Sequence, residues 1–146
     1  MDALDLRNRP PRGPRERLAG LVFLPRAIDK LRATLPGGDC GGYFPYRGLS
    51  ELFAHLTGID LQELREVVAQ AACESDVETW VAQRIDEQIA GKSNHVLSGF
   101  TNDKIPESYR PLFESAAPAA LREQYQNLFD LLEADDALSF QGVAEG

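Results

Sequence analysis

The chain is poor in the side chains that carry metal and thiol chemistry. Among 146 residues there are two cysteines, Cys40 and Cys73, and two histidines, His55 and His95. None falls into a Cys-x-x-Cys, His-x-x-x-His or Glu-x-x-His spacing, the short arrangements that bring ligands together, so no metal site is expected. A thiol nucleophile needs a base beside it. The candidate dyads join Cys40 to His55 or His95 across the fold, and the plainer reading of Cys40 is an ordinary loop residue. There is no Gly-x-Ser-x-Gly elbow and no Gly-x-x-x-x-Gly-Lys-Ser/Thr phosphate loop. The cluster Gly37-Gly38-Asp39-Cys40-Gly41-Gly42 follows an expected helix, where a dinucleotide fingerprint must follow a strand, and reads as a flexible connector. No cofactor is expected.

Long apolar runs are also missing. Nothing approaches the ~20 apolar residues that span a bilayer. The opening Met1-Asp2-Ala3-Leu4-Asp5-Leu6-Arg7 lacks the basic-then-apolar order of a signal peptide. The expectation is a cytoplasmic protein with no membrane contact, and two cysteines suit a reducing compartment. Strand signals are absent too. No stretch combines β-branched enrichment with period-two alternation, and no Asn-Gly or Asp-Gly hairpin turn occurs. No repeat of fixed period is present. With 43% hydrophobic and 26% charged residues, the composition is that of a globular protein, and the length suits one domain with a core of its own.

Helical periodicity is what the sequence does contain. Residues 1–13 hold Pro10, Pro11 and Gly13 without an apolar period and read as an extended N-terminal arm. A helical domain is expected over 14–134. Pro14 suits the first turn of a short helix, which Gly20 and Pro25 then interrupt. A second helix from about Pro25 to Leu35 puts Leu24, Ile28, Leu31 and Leu35 on one stripe, with Arg26 and Lys30 pointing the other way. Leu49, Leu52, Phe53 and Leu56 give a third, capped by Gly58. Asp60 with Glu63 and Ser75 with Glu78 read as capping boxes, and Ile59 can staple onto Leu64. The helix opened by Ser75 presents Val77, Trp80, Val81, Ile85 and Ile89 and closes at Gly91. Residues 92–117 are irregular, with a short turn capped by Ser93. A last helix from about Pro118 to Glu133 buries Leu121, Tyr125, Leu128, Phe129 and Leu132. Residues 135–146 read as an acidic tail that frays. The expected fold is all-α, a compact single domain of five to seven short helices. Its core should hold Leu24, Ile28, Leu31, Phe53, Leu64, Trp80, Val81, Ile85, Leu128 and Leu132.

Several segments are familiar. Pro14-Arg15-Glu16-Arg17-Leu18 followed by Leu24-Pro25-Arg26-Ala27-Ile28-Asp29-Lys30 resembles the opening of an uncharacterised bacterial family, known only as a domain of unknown function. Leu56-Thr57-Gly58-Ile59-Asp60, Ser75-Asp76-Val77-Glu78-Thr79-Trp80-Val81 and Leu128-Phe129-Asp130-Leu131-Leu132-Glu133-Ala134-Asp135-Asp136 are similar to its later pieces, in the same order. The Gly-rich loop with Cys40 and the stretch Lys92–Ala120 depart from that pattern. The resemblance implies no activity, cofactor or catalytic residue.

Charge is the remaining signal. The formal net charge is −8, yet residues 1–35 carry eight Lys/Arg against four Asp/Glu. Such asymmetry marks an anion-binding end on an acidic body, or two halves that attract each other across the fold. An acidic chain repels a phosphate backbone, so double-stranded nucleic acid is not an expected partner. Arg12, Arg15, Arg17, Arg26, Lys30 and Arg32 lie near the expected helix starts at Pro14 and Pro25, where free N–H groups and the helix dipole favour anions. Arg15, Arg26 and Lys30 are the candidate anion-binding residues, with internal ion pairing, such as Arg26 with Asp29, as the competing reading. Arg84, on the apolar stripe around Trp80, either snorkels at the core's edge or is a charge held in a pocket. Asp135-Asp136 reads as a solvated end rather than a cation site. The expected function is a non-catalytic binding or interaction module whose basic N-terminal block meets a small anionic ligand or a protein partner. The alternative is a small-molecule enzyme whose Arg residues bind an anionic substrate. The sequence leaves the oligomeric state open.

Overall fold

Apolar residues at helical spacing decide the centre of the molecule. The computed structural model, which describes residues 1–140, places α1 over Leu24–Arg32 with Leu24, Ile28 and Leu31 fully buried. Pro25 falls in its first turn, where a missing N–H costs nothing. The chain continues through α2 (Leu49–Thr57), α3 (Leu61–Gln70), α4 (Glu74–Ala82) and α5 (Glu87–Ser98). A 3-10 turn, Asn102–Lys104, leads to α6 (Arg110–Ala116), α7 (Ala119–Gln124) and α8 (Leu128–Ser139). α1 packs on α3, α2 on α5, and α8 on α5 and α7. Phe23 sits at the centre, its ring 5.8 Å from that of Phe53 and 6.3 Å from that of Phe129. Leu64, Val68, Val77, Val81 and Leu97 fill in around it. The class is all-α, with eight helices among the described residues rather than five to seven. Leu31→Ala should destabilise the domain by roughly 2–5 kcal/mol, because it empties a fully packed site. A change below about 1 kcal/mol in urea unfolding would place that side chain outside the core.

Local chemistry explains where the sequence expectations and the structure part. No helix opens at Pro14. Instead β1 (Arg17–Leu18) and β2 (Leu21–Val22) pair antiparallel, closed by Ala19-Gly20. Both turn residues have positive φ, 54° and 75°, as a type I′ hairpin turn requires. Alanine stands where asparagine or aspartate is usual, so the hairpin carries no sequence signature. The Asp60 side chain does cap α3, accepting from the N–H groups of Gln62 and Glu63. Ser75 caps nothing. α4 starts after Cys73, and the Asp76 carboxylate reaches back to the Ala72 N–H. The helix expected to reach Ile89 ends at Ala82, because Asp86 accepts from the Ile89 N–H and starts α5, which runs through Gly91. The last helix breaks in the same way, with Asn127 accepting from the Asp130 N–H to cap α8. α8 then runs to Ser139, well into the stretch 135–146 read as a tail. The part of that stretch beyond residue 140 lies outside the described residues. Trp80, Ile85 and Leu132 are half-buried at the core's edge.

The N-terminal arm is extended and also anchored. The Met1 nitrogen donates to the Val68 and Ala71 carbonyls, and Leu4 and Leu6 are buried. The Leu6 N–H donates to Asp39 O and the Asp39 N–H to Leu4 O, so the arm pins the Gly-rich loop that reads in sequence as a flexible connector. Two glycines there are close-approach positions. A Cβ on Gly38 would lie 2.6 Å from the Ala33 carbonyl oxygen, and one on Gly41 would lie 2.8 Å from that of Leu6. Among the described residues, no helix is long and apolar enough to cross a membrane.

Candidate functional site

Phe23, the residue before α1, holds a backbone φ of 75°, a left-handed conformation that is costly for an aromatic residue. Its contacts with Phe53 and Phe129 fix it there. Phe23 is also one wall of a cavity of about 900 Å³. α1 contributes Arg26 and Lys30 to that cavity, and the following loop contributes Tyr43 and Phe44. Leu49 and Leu52 come from α2, Leu112 and Phe113 from α6, and Leu128, Leu131, Leu132 and Asp135 from α8. Apolar walls with a few polar groups are how small-molecule sites are built, and the volume is within their usual range. The charge balance is reversed relative to the whole chain. Arg7, Arg26, Lys30, Arg47 and Lys104 line the cavity against Glu51 and Asp135, in a protein of net charge −8.

The three candidate anion-binding residues do not share one surface. Arg26 and Lys30 are brought together on α1, and neither points to solvent as helical periodicity alone implies. Arg26 is 2% exposed, and its Nη1 donates to Asp136 Oδ2 at 2.7 Å, its Nη2 to Asp136 Oδ1 at 3.3 Å. The Tyr43 hydroxyl donates to the same Asp136 Oδ1 at 2.7 Å, and the guanidinium lies 5.4 Å from the Tyr43 ring centre. Burial and the bond to Asp136 push the Tyr43 phenol well above its ordinary value. Arg15 is exposed on the flank of α8, donating to Asp130 at 2.8 Å and to Glu133. The expected Arg26–Asp29 pair does not form, since Asp29 accepts from Arg12, which also reaches Glu74. Internal ion pairing thus engages Arg12, Arg15 and Arg26.

Lys30 differs from all of these. It is 6% exposed, and among the described residues its ammonium has no hydrogen-bond or ion-pair partner. Its nearest aromatic neighbour is the Phe23 ring, 5.0 Å from Nζ to the centroid. Burial lowers its pKa from 10.5 to about 7; the charge of Arg26 acts in the same direction, and Asp136 and Cys40 oppose it. Asp135, half-buried in the same cavity, is shifted upward by burial and by Asp136, against the pull of Arg26. A buried lysine without a counter-ion faces an apolar cavity that also holds a carboxyl group biased toward its neutral form. Lys30 is one of the three candidate anion-binding residues of the sequence, whereas Asp135 reads there as part of a solvated end.

A family model for a domain of unknown function, DUF5069, matches residues 8–138. The chain belongs to this family. Arg26, Lys30, Tyr43, Asp135 and Asp136 all fall inside the DUF5069 match, as do the Gly-rich loop and the stretch Lys92–Ala120. No curated protein matches the chain.

Other residues weighed from the sequence are placed as follows in this DUF5069 domain. Among the described residues, no three His, Cys, Asp or Glu side chains converge as metal ligands. Cys40 is half-buried against Leu4, Leu6 and Ala33, and burial pushes its thiol up. Cys73 is exposed, with its sulfur 3.0 Å from Ser75 Oγ. Arg84 is not held in a pocket. It is exposed, stacked 3.8 Å from the Trp80 ring centre and donating to the Trp80 carbonyl.

Proposed function

We propose that this domain is a small-molecule binding module, acting in the cytoplasm, whose cavity takes a ligand with an apolar body and one anionic group. Lys30 is its charge partner. The observation that carries this reading is a lysine 6% exposed, without a partner among the described residues, in the wall of an apolar cavity of about 900 Å³. Burying an ammonium unpaired is costly, so a site that leaves Lys30 this way is suited to receive a counter-charge from outside. Arg26 is already bonded to Asp136 and serves to hold the wall. The basic block identified from sequence therefore contributes one ligand-facing residue, Lys30, and Arg15 lies outside the site. An enzyme acting on an anionic substrate is the second reading, favoured by the downward shift of Lys30 and centred on that lysine rather than on arginines.

Saturated carboxylates of graded length test the binding reading. Hexanoate, octanoate and decanoate should raise the melting temperature at constant ionic strength, progressively with chain length, because a ligand that binds only the native state stabilises it. Lys30→Gln should lose the response, and Arg15→Gln should keep it. The response should also strengthen as pH is lowered toward about 7, since a bound carboxylate favours the protonated lysine. Arg26 on the same helix, Asp136 and Asp135 on α8, and Cys40 in the loop are the charged or titratable groups that set the starting point of that titration. No shift at any chain length, or an equal shift in Lys30→Gln, would overturn the reading.

A further inference from the structure

Resting on the reading of the cavity as a ligand site, we propose that Lys30 is a nucleophile that forms an imine with an aldehyde or ketone carried on an apolar body. The geometry is a single buried amine in an apolar cavity, with the Asp135 carboxyl among the same walls. An ammonium cannot attack a carbonyl, because its nitrogen has no free pair. A lysine largely buried and without a carboxylate partner is the arrangement that exposes the pair. Among the described residues Lys30 has no ion pair to hold its proton, while the Arg26 guanidinium, one turn earlier on α1, discourages a second positive charge. The lowered pKa, about 7, agrees with that geometry and leaves a large fraction of neutral amine near neutral pH.

The chemistry balances. The Lys30 nitrogen pair attacks the carbonyl carbon, the C–O π electrons move to oxygen, and a proton passes from nitrogen to oxygen to give a carbinolamine. A solvent proton then passes to the carbinolamine hydroxyl. Water leaves with the C–O electrons, and the nitrogen pair closes the C=N bond. The products are an iminium on Lys30 and one water, with one proton taken up from solvent. No oxidant or metal is required, and the ligand's own carbonyl supplies the electrophile.

Decanal with sodium cyanoborohydride, applied to the full chain at neutral pH, tests this. The chain contains three lysines: Lys30, Lys92, which is exposed outside the cavity and serves as the internal control, and Lys104, which is exposed at the cavity's wall. One adduct, with the mass of decanal less one oxygen atom, should map to Lys30, at least tenfold above Lys92 and Lys104 in peptide digests. Excess decanoate should suppress it in the unaltered protein, which needs no variant to fold. Labelling spread evenly over the three lysines, or confined to Lys92 and Lys104, would overturn the imine. If the decanoate shift persists in that case, the cavity remains a ligand site and only the covalent step fails. If neither response is seen, both readings fall.

Discussion

Asp136→Ala should destabilise the protein by about 3–5 kcal/mol in urea unfolding, the usual cost of removing one partner of a buried pair. Arg26 is 2% exposed and would remain charged in the core without its counter-ion. The Tyr43 hydroxyl, which donates to the same carboxylate, would lose its acceptor as well. The loss should be much larger than for Arg15→Gln. Arg15 pairs with Asp130 and Glu133 on an exposed flank, where such bonds contribute roughly 0–1 kcal/mol. Most of the penalty belongs to the stranded guanidinium rather than to the attraction itself. Combining Asp136→Leu with Arg26→Met should therefore recover most of the loss, since two apolar residues leave no charge to satisfy. If Asp136→Ala costs under about 1 kcal/mol, the pair is not what joins α8 to α1, and the cavity wall must be held by the apolar contacts of Phe129 and Leu131 alone.

This same pair shows why the fold class was legible and the site was not. Leu24, Ile28 and Leu31 declare a helix within eight residues of sequence, and Asp60 and Gly58 mark ends with side-chain and backbone chemistry of their own. Asp86 and Asn127 carry the same kind of mark, each accepting from the N–H three residues ahead in the helix it caps. The apolar stripes running across them concealed the breaks. The Ala19-Gly20 turn had no mark at all, because its alanine occupies a conformation that sequence statistics assign to other residues. For Arg26 and Lys30, local reasoning points to solvent, since they lie opposite the apolar stripe. What buries Arg26 is Asp136, 110 residues later in the chain. Residues 135–139 look like a fraying end until α8 is seen to continue through them. A basic segment in an acidic chain singled out a helix that lines the cavity. Which of its charges is paired and which is left free was decided by α8 and the Tyr43 loop, and neither announces this locally.

Lys30→Met should raise stability by roughly 2–4 kcal/mol near neutral pH and abolish both the carboxylate response and the decanal adduct. The unfolded chain holds a proton on Lys30 up to about its ordinary value of 10.5, whereas the folded protein releases it at about 7. Between those limits the unfolded state binds the extra proton, so this lysine makes stability rise with pH across that window. Below about 7 the lysine is protonated in both states, and the penalty is constant and at its largest. Above 10.5 it is neutral in both, and the penalty vanishes. Methionine matches the length of the lysine stem, can pack against the Phe23 ring and carries no charge. The variant should thus be more stable than the parent at pH 6–8, and the two stability curves should converge toward pH 10. A residue whose removal strengthens the fold is kept for another purpose, the pattern of sites that trade stability for function. Equal or lower stability for Lys30→Met across that range would mean that the ammonium is already well compensated in the native protein, and the case for an incoming anion or carbonyl at Lys30 would lose its physical basis.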